Sequence, residues 1–254
     1  MGKKLLGETV IVTGGGCGFG EKMSHALARE GANTVVADIN FKDAKRTADS
    51  ILNENGRAYA VEVDVSNEIQ VVDMVKKVIS EYGRIDILIN NAGIAGPIGE
   101  LHTIKSDEWD KVFNVNVRGA FLCAKEVLPY MIEQHKGHIV NISSSTARIG
   151  FKHVRSLPYT CTKFTIEGFS YCLSLEMEKH GIRVNALCPS LADTDFQKGT
   201  PPEHLRGKQC WIPEHTVGPL LYILTEMEGT GQSIMAAAWH ERRKTEKKFS
   251  YIHD

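Results

Sequence analysis

Tyr159 and Lys163 stand four residues apart in Y-T-C-T-K, a spacing that sets a phenol and an ammonium on one face of a helix. A phenol titrates near ~10 and is a poor base at neutral pH, but a cation held beside it favours the phenolate. Bringing that pKa down to about 7 takes on the order of 4 kcal/mol of differential stabilisation, within reach of positive charge in a partly dry site. In isolation such a pair reads as a surface contact. Its position changes the reading, because it follows a strand signal and a run of three hydroxyls, Ser143-Ser144-Ser145.

A second chemical feature lies far upstream. Thr9 to Gly20, TVIVTGGGCGFG, joins a β-branched run to a glycine loop and then to a helix, Glu21 to Glu30, stopped by Gly31. A helix N-terminus pointed into a glycine loop is an anion site, and after a buried strand the expected anion is a pyrophosphate. Asp38 ends the next strand, where a doubly wound fold sets an acid against the adenosine ribose. Its carboxylate would accept from both ribose hydroxyls and repel a 2′-phosphate, which favours NAD over NADP.

The elements that must position these groups alternate along the chain. Strand signals occur at Val10–Val12, Thr34–Asp38, Ala58–Val65, Ile85–Asn90, His138–Ile142, Ile182–Leu187 and Ser233–Trp239. Between them run helical patterns at 42–55, at 69–82 with Ser66 as its cap, from Ser106 to beyond Pro129, and at 159–180; another helix starts at Pro213. Strict alternation predicts an α/β, Rossmann-like doubly wound, mostly seven-stranded parallel sheet with helices on both faces. Cys188 to Ile212, rich in proline and polar residues, reads as a substrate lid at about 190–212 with Phe196, Leu205 and Trp211 as apolar members. Residues from about 240 to 254 read as a charged tail, either solvated or an oligomer contact.

With 254 residues and 42% hydrophobic content, the chain fits one large domain, 1–254. A formal net charge of −1 offers no field for nucleic acid or anionic membrane. The start lacks a secretory pattern, and the six cysteines show neither a C-x-x-C pair nor a ligand cluster. The expectation is a reduced, cytoplasmic protein with no metal site, no nucleic-acid partner and no membrane partner.

The loop spacing T-G-x-x-x-G-x-G, Asn91-Ala92-Gly93, N-V-N-V-R-G, the serine run, Y-x-x-x-K and Thr230-Gly231-Gln232 together resemble the short-chain dehydrogenase/reductase family, from Thr13 to about Ile234. The resemblance implies a catalytic set of Asn116, Ser144, Tyr159 and Lys163. Ser144 follows from strand register in N-I-S-S. The interval to Tyr159 is about two residues longer than usual, which leaves Ser145 as the other candidate. The resemblance also implies NAD contacts at Gly14, Cys17, Gly18, Phe19, Gly20, Asp38, Asp64, Val65, Asn91, Gly93, Tyr159, Lys163, Pro189 and Thr194. The implied reaction moves a hydride between NAD(H) and a secondary alcohol or ketone, with Tyr159 as general acid/base, Ser144 on the reacting oxygen and Asn116 positioning a water that relays protons to Lys163. The alternatives are an NADPH-dependent carbonyl or 3-oxoacyl reductase and a non-catalytic nucleotide sensor. The family further implies a homotetramer or dimer built through the two long helices. Two departures stand out: the D-G-G that commonly follows the last strand is absent, and Arg148, Lys152, His153 and Arg155 make the loop before Tyr159 basic, either a solvated loop or an anion site for substrate.

Overall fold

A computed structural model describes residues 2–147, 156–192, 209–244 and 249–251. Its centre is a parallel sheet of seven strands: β1 (Thr9–Thr13), β2 (Asn33–Asp38), β3 (Arg57–Glu62), β4 (Ile87–Asn90), β5 (Gly137–Ile142), β6 (Ile182–Cys188) and β8 (Ser233–Met235). The spatial order is β3-β2-β1-β4-β5-β6-β8. Order reverses between β1 and β4, so the loops leaving those two strands diverge and open a crevice at their carboxyl ends. A separate two-stranded ribbon pairs β7 (Gln209–Trp211) antiparallel with β9 (Phe249–Tyr251).

The central strands are covered on both sides, which is why β1, β4 and β5 are buried throughout and rich in apolar residues, while the edge strand β3 is partly exposed. Ile11, Val35 and Leu88 face α3 (Glu68–Tyr82), α5 (Gly119–Glu133) and α6 (Leu157–Met177) through Val75, Leu122 and Leu173. Val10, Val12 and Ile89 face the other way, against Met23 and Leu27 of α1 (Gly18–Arg29) and Leu220 and Ile223 of α7 (Val217–Thr225). On that same side, Ala44, Ala48 and Ile51 of α2 (Phe41–Asn53) pack on Val36 and Ala28.

Five expectations need correction. The third strand ends at Glu62 rather than Val65, and Asn67, not Ser66, caps α3 by accepting from Ile69 and Gln70 N–H. The long helical region is interrupted: α4 (Ser106–Phe113) and α5 are joined by a π segment over Asn114–Arg118. Ser233–Trp239 is a strand only to Met235, and Ala236–Arg242 forms a helix, α8. Three consecutive alanines favour helix over strand once the sheet edge offers no further pairing. The tail is not wholly solvated either, because residues 249–251 fold back onto β7.

One core group carries a pH dependence. His138 on β5 is buried, its Nε2 accepts from Asn185 Nδ2 at 2.9 Å, and burial, with the nearby Arg183 charge, lowers its pKa from 6.5 to about 3. Over that interval the unfolded chain binds the proton and the folded chain does not. This contribution to stability is therefore complete above pH 6.5 and lost as pH falls toward 3, by up to ~5 kcal/mol. His215, lowered to about 4 by burial, acts in the same direction. Unfolding free energies from urea titrations should fall less steeply below pH 6.5 for His138→Gln than for the wild type; parallel slopes would remove His138 from the account.

Candidate active site

The glycine loop is pinned before any ligand arrives. Gly14 sits at φ +62°, and a Cβ there would lie 2.9 Å from Ala92 Cα; one on Gly20 would come 2.0 Å from Gly14 O. Only glycine fits either place. Asn91 Nδ2 donates to Thr13 O (2.9 Å) and Gly14 O (3.0 Å), while Thr13 Oγ1 accepts from Asn91 N–H and Ala92 N–H at 3.1 Å each. The loops after β1 and β4 are thereby locked across the crevice. Cys17 is the extended N-cap of α1 and makes no side-chain capping bond. By helix geometry the N–H groups of Gly18, Phe19 and Gly20 open toward the loop, a donor set suited to a pyrophosphate.

Asp38 lies at the other wall. Its Oδ2 accepts from Gly16 N–H at 2.9 Å and its Oδ1 from Asn40 N–H at 3.0 Å. Arg46 reaches the same loop, donating to Gly16 O at 2.6 Å and pairing with Glu21 and Asp43. Asp64 closes a turn, its Oδ1 accepting from Ser66 N–H and Oγ–H, and Val65 packs into the core against Gly119.

Tyr159 and Lys163 fall in the first turns of α6, whose N-cap Ser156 accepts from Tyr159 N–H and whose Pro158 occupies the first turn. Lys163 is buried; its Nζ donates to Ile142 O at 2.7 Å and lies 5.5 Å from the Tyr159 ring centroid. Burial lowers its pKa to about 8, an effect opposed by Cys188 and Glu167, so it is still a cation at neutral pH. A Cβ on Gly93 would lie 3.2 Å from Asn116 Oδ1 and 3.8 Å from Lys163 Nζ, which puts the chain after β4, the π segment and α6 at one point. Asn116 is fixed there: Oδ1 accepts from Ile94 N–H at 2.8 Å, and Nδ2 donates to Ile94 O and to Thr162 Oγ1, both at 3.0 Å. Thr162 Oγ1 in turn donates to Tyr159 O at 2.7 Å. The extra residue of a π turn aims Asn116 inward, a placement common at functional sites.

Among the serines, Ser143 Oγ donates to Lys163 O, while Ser144 Oγ accepts from Thr146 N–H at 3.2 Å; Ser145 N–H donates to Pro189 O at 2.9 Å. Ser145 is thereby tied to the exit of β6, while the Ser144 hydroxyl bonds within its own loop. Thr194, Arg148, Lys152, His153, Arg155, Phe196 and Leu205 lie outside the described residues. Sequence reasoning missed several partners: Thr13 and Thr162, both visible inside the motifs; the buried chain Asn90–Asn141–Ser170 joining β4, β5 and α6; and Glu167, which accepts from the Cys188 thiol at 2.9 Å.

A family model described as short chain dehydrogenase matches residues 8–204. The chain belongs to that family. A short-chain dehydrogenase/reductase, astE, of Aspergillus oryzae is 40% identical over 201 residues, covering 77% of this chain and 75% of that protein. The 3-oxoacyl-[acyl-carrier-protein] reductase FabG of Thermotoga maritima is 34% identical over 202 residues, covering 78% and 79%. Among solved structures, a 3-ketoacyl-(acyl-carrier-protein) reductase from Brucella melitensis, complexed with NADH, superposes with a TM-score of 0.83 at 28% identity over 91% of this chain and 97% of that one. This short-chain dehydrogenase is thus an oxidoreductase on a nucleotide-binding fold.

Removing the Asn116 amide would leave Ile94 N–H, Ile94 O and Thr162 short of partners in a buried setting. Asn116→Ala should cost about 1–3 kcal/mol of stability by urea titration. A variant as stable as the wild type would show that the amide does not hold the π segment.

Proposed function

We propose that this chain is an NAD(H)-dependent oxidoreductase acting on a secondary alcohol or its ketone, with Tyr159 as general acid/base. The observation that carries the reading is the buried Lys163 cation, held by Ile142 O beside the Tyr159 ring. A fold has no reason to desolvate an ammonium for packing alone, since the burial is costly. A non-catalytic nucleotide sensor would not need that arrangement.

The residues present fit a dinucleotide. Gly14, Gly18 and Gly20 with the N-terminus of α1 would hold its pyrophosphate, Asp38 the adenosine ribose, and the chain at Gly93, Lys163 and Pro189 the nicotinamide half. Asp38 supports NAD, because its carboxylate ends β2 against the glycine loop, where it would face the ribose edge, and Arg46 is already paired with Glu21 and Asp43. Bound nicotinamide supplies the hydride acceptor for oxidation and the donor for reduction. Tyr159, as phenolate, would take the hydroxyl proton of the alcohol and return it in the reverse direction. Lys163 would lower the Tyr159 pKa through its charge. Ser144, or Ser145 in its place, would hydrogen-bond the reacting oxygen. Both N–H donors of the Asn116 amide are taken and Oδ1 already accepts from Ile94 N–H, so Asn116 acts mainly as a positioning residue, with only the second lone pair of Oδ1 left for a relay water.

A second reading, reduction of a 3-oxoacyl thioester, is favoured by two of the relatives, which are named for that reaction. The scattered spacing of the six cysteines, without a C-x-x-C pair or a ligand cluster, supports a reducing compartment such as the cytoplasm. No helix among the described residues is long and apolar enough to cross a membrane.

A panel of secondary alcohols with the oxidised cofactors and of ketones with the reduced ones, followed by nicotinamide absorbance, should give turnover with NAD(H) well above that with NADP(H). Tyr159→Phe should lower kcat by about 10²–10⁴-fold with little change in cofactor affinity. Near-normal turnover in that variant would sink the assignment, and a preference for NADPH would favour the reductase reading.

Phe164, Tyr171 and Leu175 leave α6 exposed at i, i+7 and i+11, with Phe121 exposed on α5. We propose that this stripe pairs with a second copy to give a homodimer or homotetramer. Light scattering should find Tyr171→Glu/Leu175→Glu at a lower oligomeric order than the wild type; a monomeric wild type would end the proposal.

A further inference from the structure

His215 is buried in a short turn, Pro213–Thr216, and belongs to no motif of the family resemblance. Its Nε2 accepts from Ser190 N–H at 3.2 Å and its Nδ1 donates to Ile212 O at 2.9 Å, which together define one neutral tautomer. Burial, the main cause, lowers its pKa to about 4, so the Nε2 lone pair persists at neutral pH. On one side the ring meets the edge of Phe19, centroids 5.5 Å apart, in the first turn of α1; the same turn pairs Glu214 with Lys22 of α1 at 3.2 Å. On the other side it stacks on Trp211 at 5.4 Å. Trp211 bridges to Ala192 and donates its N–H to Leu191 O at 2.9 Å. The C-terminal helix closes the group: His240 Nε2 donates to His215 O at 2.8 Å, and its ring stacks on Trp211 at 5.3 Å.

The ring therefore touches two stretches that meet opposite halves of a dinucleotide. Phe19 belongs to the glycine-loop helix. Ser190 follows Pro189, whose carbonyl accepts from Ser145 N–H in the serine run. An apolar side chain of similar volume would fill the space, yet it would leave the Ser190 N–H without this acceptor and the exit of β6 free to shift. We propose that His215 is a positioning residue that fixes the Pro189–Ala192 segment relative to the glycine loop, so that the nicotinamide half of the cofactor is held in register with the pyrophosphate half. The inference rests on the oxidoreductase reading above.

The test uses the full-length chain and compares NADH with AMP, which engages only the adenosine side. Affinities would be measured by calorimetry for the wild type, His215→Leu, His215→Phe and His215→Gln. Leu and Phe lack an acceptor, Phe keeps the stacking on Trp211, and Gln can present Oε1 to the Ser190 N–H. The expected result is an NADH Kd raised about tenfold in Leu and Phe, an AMP Kd unchanged, and NADH affinity in Gln within about threefold of the wild type. The Phe variant answers the question if Leu fails to fold. NADH affinity unchanged in Phe, or NADH and AMP weakened together, would overturn the role, the second outcome marking a general structural effect. A wild type that binds neither nucleotide would instead overturn the oxidoreductase reading from which this one follows.

Discussion

The Lys163 ammonium, sunk between α6 and the end of β5, sets the terms for the rest of the site. A buried charge of this kind survives only where its donors are met, and here the carbonyl of Ile142 does so at the point where the strand ends. A strand's last carbonyl has no ladder partner of its own beyond the sheet, so the carboxyl edge of β5 is a natural acceptor. The price of that desolvation is a pKa of about 8, and neighbouring Cys188 and Glu167 keep it from falling further. The ammonium thus remains charged at neutral pH while sitting in a medium dry enough for its field to reach the Tyr159 ring.

Holding that pair in register takes a second set of contacts that are chemically silent. Asn116, Thr162 and the Tyr159 carbonyl form a continuous hydrogen-bonded chain from the π segment to α6, and Asn90, Asn141 and Ser170 run a parallel one below it. Asn91 and Thr13 fasten the glycine loop to the strand across the crevice. A family motif such as N-N-A-G therefore encodes mostly scaffold here: the asparagine side chain is spent on loop backbone, and it is glycine that leaves room beside Lys163. Preorganisation of this kind would keep the Tyr159 phenol and the Lys163 ammonium aligned for the proposed reaction without reordering.

How much of this was legible in the sequence depends on the range of the interaction concerned. The parallel sheet and its two helical layers followed from alternating apolar runs, since a strand buried on both faces has no other composition available. The places of Tyr159 and Lys163 on one helix, of Asp38 at a strand end and of the glycines in a turn were legible because local spacing fixes which face or turn a residue occupies. What escaped were contacts set by tertiary packing. The stop of the last strand at Met235 depends on what lies beside it, and the helix preference of Ala236–Ala238 takes over where the sheet edge ends. Asn67 overrode Ser66 as a cap by a single residue, within the ordinary uncertainty of helix ends. The π segment over Asn114–Arg118 gave no periodicity signal, because one inserted residue shifts the pattern by less than a third of a turn.

The missing D-G-G shows how a departure from a family pattern is absorbed physically. In its place α8 brings His240 onto the turn that holds His215 and Trp239 onto α7, while Arg243 lies 4.5 Å over Tyr222 and 5.1 Å from Trp239. Gly218 of α7 is packed so closely under Trp239 that a Cβ there would come within 2.8 Å of the indole. These stacks replace directional strand pairing with large, rigid aromatic area, which contributes stabilisation through burial and ring geometry instead of a backbone ladder. The consequence reaches the site, because the same aromatic group terminates on Trp211 and the backbone at Leu191 and Ala192. In this chain the C-terminal segment is not an appendage to the nucleotide fold; it is one wall of the passage through which β6 leaves the sheet.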